Sequence, residues 1–414
     1  MPPSVSASQI PGRAIVIGGS MSGLFAGLML RDAGWSVDIY EKVEGELSGR
    51  GAGIVAQPEI LSALRDIGLT ADDLGVAVQK RRMFDASGRM TLETDCPQVM
   101  TAWERVYRIL RDAFPSSHYH RGRALAAIEQ DDAGVTAIFA DGERVRGDVL
   151  IGADGIRSTV RALCAPDSQP LYAGYVAWRA LIAESAMPPD VHRDIFPVMA
   201  FCLPPGEQML GYPVAGPEDD LRPGHRRYNM VWYRPAGEQT ELKSLLTDER
   251  GVTHAQSIPP PLISRTSIAG MREAAARLLA PQFVKAVELV DQPILQPIFD
   301  LVSDRLAFGR VALMGDAAFV ARPHVGAGVA KAAGDAAAMV AALGGTQDVA
   351  AALLQYEAQR LPEGRRMVQR ARHLGAYLQA SRSSEEAAHA ARHAVAEAVL
   401  EETATLDFLY EAQA

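Results

Sequence analysis

RAIVIGGSMSGLFAGLMLRDAGWSVDIYEK, residues 13–42, decides the fold. The apolar run 14–17 reads as a strand. Gly18, Gly19 and Gly23 then turn the chain into a helix, and a second apolar strand, 37–40, ends at Glu41. A strand, glycine turn and helix in this order expose backbone N–H groups at a helix N-terminus, where a pyrophosphate binds. An acidic residue about 20 residues further on accepts from a ribose hydroxyl. Glu41 stands in that place, so the unit predicts an adenine dinucleotide without a 2′-phosphate. The second glycine of the fingerprint falls at position 20, which holds Ser20. A serine adds little bulk there, and its hydroxyl can donate to the phosphate.

Outward from this unit, 414 residues exceed what one hydrophobic core usually supports, which predicts at least two domains. With 48% hydrophobic and 22% charged residues the composition is that of an ordinary globular chain. A net charge of −9 leaves no electrostatic footprint for nucleic acid or an anionic membrane, and neither is expected as a partner. Cys96, Cys164 and Cys202 are far apart and odd in number, which fits a reducing cytoplasm and neither a disulfide framework nor a metal site. Residues 1–12 lack the basic start and apolar core of a secretory signal and read as a disordered leader.

LSGRGAGIVAQPE (47–59) is rich in glycine, which implies backbone packed closely against something such as a cofactor. Helices are expected over 59–68 and 105–114, and a hairpin over 83–94 that turns at 85–88. Two strands, 125–130 and 135–139, lead through Asp141-Gly142 into an apolar run at 145–151. Residues 172–234 carry aromatic and β-branched runs with proline and glycine between them, the mark of a sheet. From Gly326 onward the chain is alanine-rich and helical, with breaks near 344–345 and 381–384. The division this suggests places 13–75, 101–170 and 295–345 in a dinucleotide-binding domain and 76–100 and 171–294 in a substrate domain. Residues 346–414 form a C-terminal helical region.

Two later motifs repeat the logic of the first. In DVLIGADGIRSTVR (148–161) a strand runs into Asp154, and in GRVALMGDAAFVARPHVGAGVAK (309–331) another runs into Asp316. A carboxylate at the end of a parallel strand sits in the crevice where ligands bind. Either aspartate can equally cap the helix that follows it.

The three motifs in this order resemble the group A flavoprotein monooxygenases, the fold of 4-hydroxybenzoate hydroxylase, over nearly the whole chain. Within that family the likeness is to the dihydroxypyridine hydroxylases, through GGSMSG (18–23), LSGRGAGIVAQPE (47–59), YAGYVAWR (172–179) and GDAAFVARPH (315–324). The resemblance implies an α/β fold: a Rossmann-like FAD-binding domain interleaved with a mostly antiparallel β-sheet substrate domain, plus C-terminal helices. It implies FAD as cofactor, NADH (or NADPH) as a transient co-substrate, and O2. Dimerisation follows from the resemblance alone.

The same resemblance assigns residues. Gly18, Ser20, Met21, Ser22 and Gly23 would hold the pyrophosphate, and Glu41 with neighbouring Lys42 the adenosine ribose. Leu125 would lie beside the adenine, Asp154 would face the pyrophosphate, and Gly53 and Gln57 would lie against the cofactor. Asp316 would hold the ribityl chain, and Pro323 would pack near the reactive edge of the isoalloxazine. Gly326, Ala327, Gly328 and Val329 would turn helix N–H groups toward its pyrimidine end, where a helix N-terminus supplies roughly half a positive charge. Phe319 replaces a histidine common in the family, and none of Tyr107, Arg108 and Arg111 is matched to the family's arginine in that helix.

The implied activity is hydroxylation of a small hydroxylated N-heteroaromatic of the 2,6-dihydroxypyridine kind through a flavin C4a-hydroperoxide. Another phenolic or heteroaromatic acid (hydroxynicotinate, hydroxypicolinate, hydroxybenzoate) is the alternative, and a fold kept only to bind a ligand is a third reading. A flavin halogenase would carry two tryptophans spaced by one residue, whereas Trp35, Trp103, Trp178 and Trp232 are isolated. Such chemistry needs a water-poor pocket and a base for the substrate hydroxyl. His324 is the candidate base, with a helix cap or a cofactor contact as the competing reading, and Tyr212 is a second candidate beside Pro323. Trp178, Arg179, Trp232 and Tyr233 read as sheet packing. His389 and His393 read as a solvated helix face, and His118 and His120 have no carboxylate partner nearby in sequence.

Overall fold

The computed structural model describes residues 12–47, 53–70, 73–346 and 348–410. The leader, apart from Gly12, and the centre of the 47–59 stretch lie outside them.

Three parallel strands, Arg13–Ile17, Ser36–Tyr40 and Val149–Gly152, form the middle of a six-stranded sheet. Val311–Leu313 and Tyr119–His120 extend it in parallel on either side, and Ala307–Phe308 closes one edge antiparallel. Register places Leu313, Gly152, Ile17 and Tyr40 side by side. All four strands therefore end at one level, and Met314, Ala153, Gly18 and Glu41 follow at the same rim. The sequence motifs meet there because each begins where its strand stops.

A nine-stranded sheet stands opposite. Its order is Phe319–Val320, Ile294–Val302, Leu171–Ala183, Arg227–Pro235, Gln208–Val214, Met199–Cys202, Val76–Phe84, Met90–Ala102, Gly53–Val55. Every pairing is antiparallel except that of Met199–Cys202 with Val76–Phe84. Gly53–Val55 and all but the first residue of Ile294–Val302 fall in segments expected in the dinucleotide-binding domain; both strands pair into this sheet. The apolar run 145–151 is likewise divided. Arg144–Gly147 completes a three-stranded sheet with Leu125–Asp131 and Gly134–Phe139, and after Asp148 the chain enters the parallel sheet as Val149–Gly152.

Alternation along the strands gives the large sheet two faces. Val176, Trp178, Ala180, Met230 and Trp232 pack outward under the Arg265–Leu278 and Pro281–Glu288 helices. Tyr175, Ala177, Leu210, Tyr212, Val231 and Tyr233 face inward, toward the parallel sheet. The C-terminal helices Gly328–Gly344 and Val349–Gly375 cover the parallel sheet, and Ser384–His393 and Ala396–Glu402 return over the inner face of the large one. His389 and His393 are not on a solvated face. His389 stacks on His373 with ring centroids 3.5 Å apart, and His393 is buried with Nδ1 2.7 Å from Glu402. His118 and His120 do have a carboxylate partner, Asp38, at 2.9 and 3.2 Å, contributed by a strand 80 residues earlier in the chain. Among the described residues no helix is long and apolar enough to cross a membrane.

Candidate active site

A cavity of about 800 Å3 lies between the rim of the parallel sheet and the inner face of the large sheet. Its first wall is the glycine turn. Gly18 has φ +109°, and a Cβ there would lie 2.3 Å from the carbonyl oxygen of Ala153. A Cβ on Gly23 would lie 1.8 Å from the Gly18 oxygen, so Gly23 seats the helix on the turn and does not itself line the cavity. Ser20 caps the Met21–Asp32 helix without a side-chain hydrogen bond to it, which leaves its hydroxyl for a ligand, and no acidic residue occupies the first turn. Ser20, Met21 and Ser22 line the cavity.

Glu41 is buried and bridges the rim. Its two carboxylate oxygens accept from the Gly19 and Val43 N–H groups, each at 2.9 Å. Lys42 and Leu125 border it, as does Arg123, which the sequence did not single out. Asp154 faces the cavity but also caps the Thr159–Cys164 helix, accepting from the N–H groups of Thr159 at 2.6 Å and Val160 at 3.2 Å. Burial raises its pKa against these bonds.

Asp316 points its half-exposed carboxylate into the space, with Lys331 Nζ 3.0 Å away and almost wholly buried. Sequence reasoning missed Lys331, because a lone lysine inside an alanine-rich helix carries no local signal. The turn Pro323–Val325, then Gly326 at φ +62°, Ala327, Gly328 and Val329, bring a second helix N-terminus to the same cavity, again without an acid in its first turn. Gln57 does not line the cavity. Its Nε2 donates to the Ala404 carbonyl at 3.0 Å, and Gln98 donates to the same oxygen at 3.1 Å. Thr403 and Ala404 thereby join the wall, and Ala404 N–H donates to the His324 carbonyl at 2.7 Å.

On the sheet side, Gly53 and Tyr212 line the cavity in contact with each other: a Cβ on Gly53 would lie 2.6 Å from the Tyr212 ring. His324 also borders the space but is committed, with Nε2 2.8 Å from Tyr175 Oη and its ring against Tyr233. Burial, reinforced by the Arg322 charge, lowers its pKa to about 3. Arg322 is itself fixed by Asp300, which accepts from its Nη2 at 2.8 Å. Of residues 178, 179, 232 and 233, read as packing, the two tryptophans pack under the outer helices, whereas Arg179 and Tyr233 border the cavity, Tyr233 also as part of the inner-face core. Tyr107, Arg108, Arg111 and Phe319 lie outside the cavity wall.

Two glycines whose Cβ would strike backbone, two helix N-termini without an acid in the first turn and one cavity bordered by both fit a dinucleotide carrying a flat ring system. The chain matches the family described as FAD binding domain-like over residues 172–300, and that described as FAD binding domain over residues 286–371. It is 32% identical over 368 residues to 2,6-dihydroxypyridine 3-monooxygenase of Paenarthrobacter nicotinovorans, covering 89% of this chain and 91% of the relative. The chain belongs to the FAD-dependent aromatic monooxygenases. Among solved members of this family, 2,6-dihydroxypyridine-3-hydroxylase from Arthrobacter nicotinovorans superposes with a TM-score of 0.84 at 32% identity, covering 91% of this chain and 95% of that one. Klebsiella pneumoniae HpxO, solved with FAD and uric acid, superposes with a TM-score of 0.74 at 25% identity over 94% and 93% of the two chains. As a member of the FAD-dependent aromatic monooxygenases the chain is a single-component flavin hydroxylase, with FAD as cofactor and NAD(P)H and O2 as co-substrates.

Proposed function

We propose that the chain hydroxylates a small N-heteroaromatic ring bearing a ring hydroxyl, of the 2,6-dihydroxypyridine kind, with NADH as reductant. The observation that carries this reading is the continuity of one cavity. The dinucleotide cradle opens directly onto a sheet face where Met199, Leu210 and Val231 alternate with Tyr212, Tyr233 and Arg179. That compartment is apolar enough to exclude water and polar enough to orient a hydroxylated ring. The relative that acts on 2,6-dihydroxypyridine and the HpxO complex with uric acid, another nitrogen-containing ring, support the ring class.

FAD, when bound, supplies the redox chemistry, taking electrons from the nicotinamide and with O2 providing an electrophilic oxygen. In this reading the residues divide as follows. Ser20, Met21 and Ser22 hold the pyrophosphate, Glu41 and Lys42 the ribose, and Leu125 the adenine. Asp316, steadied by Lys331, holds the ribityl hydroxyls. The helix that starts at Gly328 turns N–H groups toward the pyrimidine end and favours negative charge there. Pro323 borders the reacting centre. His324, neutral and tied to Tyr175, does not take the substrate proton; it holds the turn at Pro323 in place.

Purified protein assayed for NADH oxidation with 2,6-dihydroxypyridine, 6-hydroxynicotinate and 4-hydroxybenzoate, with product mass spectrometry, tests the reading. A ring that gains one oxygen atom per NADH oxidised, from the pyridine class, is expected. Hydrogen peroxide as the only product with every pyridine would overturn it.

A further inference from the structure

Among the described residues, the strands of the large sheet turn one charged side chain into the cavity, Arg179; the lining carboxylates Glu41, Asp154 and Asp316 all follow strands of the parallel sheet. Arg179 pairs across the ladder with Val231, and Val231 with Leu210. The guanidinium is therefore flanked by apolar residues, with Tyr233 and Tyr212 on the same face. Its Nη1 donates to Gln296 Oε1 at 2.8 Å, and its Nε is buried without a partner. Arg322, which also lines the cavity, and the buried Arg360 are neutralised by Asp300 and Asp335, Arg161 donates to main-chain carbonyls, and Arg81, which donates to Gln98 and the Leu400 carbonyl, lies away from the cavity. Among the described residues no carboxylate pairs with Arg179, and the hydroxyls of Tyr212 and Tyr233 make no hydrogen bond. Both phenols are buried. Burial raises their pKa, to about 12 for Tyr233, so they remain protonated donors at neutral pH.

A half-buried guanidinium set against apolar walls with one amide for company gains from a counter-charge, and an anion entering the cavity supplies it. We propose that Arg179 selects the substrate as its ring oxyanion, with the hydroxyls of Tyr212 and Tyr233 donating to the same ligand. This rests on the hydroxylase reading above and names the group that makes the ring nucleophilic. An ionised ring oxygen pushes electron density into the ring carbons, and the guanidinium stabilises that form against the neutral one. Binding a neutral hydroxypyridine then releases one proton to solvent, so the cavity wall needs no base of its own.

The test is an anaerobic titration of 2,6-dihydroxypyridine onto the oxidised holoenzyme, below the ring's ionisation in solution, read by ligand absorbance and by proton release in weak buffer. Wild type should show the ionised ring and release one proton per ring bound. Arg179→Gln should bind the neutral ring without proton release and at least about tenfold more weakly, while Arg179→Lys retains proton release. In wild type alone, 2,6-dimethoxypyridine, which cannot ionise, should bind at least about tenfold more weakly than the dihydroxy ring. Proton release and affinity unchanged in Arg179→Gln, or equal binding of the dimethoxy ring, overturns the proposal. So does an Arg179→Gln loss confined to 4-hydroxybenzoate, because the guanidinium would then serve a carboxylate. No turnover enters these readings. A wild type that binds rings by this rule yet hydroxylates none sinks the proposed function and leaves the role of Arg179 standing.

Discussion

Tyr175 Oη and His324 Nε2 lie 2.8 Å apart inside a fully enclosed contact between the large sheet and the Pro323 turn. The bond joins the two halves of the molecule at the cavity. Tyr175→Phe leaves the imidazole nitrogen buried and unpaired, a loss of about 1–3 kcal/mol. Chemical denaturation of the holoenzyme measures it, and an unchanged midpoint would show that the bond contributes nothing net.

The same histidine makes stability depend on pH. Its pKa falls from 6.5 to about 3 on folding, and that of His373 falls to about 4 through burial and the neighbouring His389 and His393. Between those values and 6.5 the unfolded chain binds more protons than the folded one, so stability drops as pH is lowered through that window. His324→Asn should flatten part of the slope, as thermal melting across the window would record. A slope identical to wild type contradicts the assignment.

Gly18 is the least replaceable residue of the cradle. Gly18→Ala combines a positive φ, costing about 1–2 kcal/mol, with a Cβ aimed at the Ala153 carbonyl. The purified variant should lose bound flavin, seen as a fall in visible absorbance per protein, and melt at lower temperature. Full flavin content would remove the turn from the cofactor site.

Lys331→Met separates binding from folding. A methionine fills the buried volume, and Asp316 stays partly solvated, so stability should change by less than about 2 kcal/mol. FAD affinity should fall about tenfold once Asp316 loses the cation that orients it. Equilibrium dialysis of the apoprotein reads the affinity, and an unchanged Kd would confine Lys331 to packing.

Asp300→Asn removes the carboxylate shared by Arg322 and Arg372. A buried guanidinium left without its partner costs about 3–5 kcal/mol. Urea denaturation checks the magnitude, and a loss below about 1 kcal/mol would mean that Gln379 suffices for Arg322.

What the sequence revealed was local, and what it hid was a matter of register. Gly18, Asp154 and Asp316 are legible because each motif carries strand, turn and helix within about a dozen residues. Trp178 and Arg179 are adjacent, and so are Trp232 and Tyr233, so one member of each pair must face the cavity. Large side chains stand at all four positions, and nothing local says which face meets the ligand. That choice is made by the pairing of Arg179 with Val231 and Ile294, far apart in the chain. Asp38 is a long-range partner of His118 and His120 for the same reason. Gln57, expected against the cofactor, lies outside the cavity wall, and its amide secures Ala404 across a separation of 347 residues.

That hold on Ala404 bears on biosynthesis. The enclosure is walled by residues from Ile17 to Ala404, so a nascent chain presents the nucleotide cradle long before it can shut the opposite side. Flavin retention should therefore be a late event on the ribosome: chains stalled before residue 404 should exchange the coenzyme freely, and those carrying the Gln57 and Gln98 clasp should keep it.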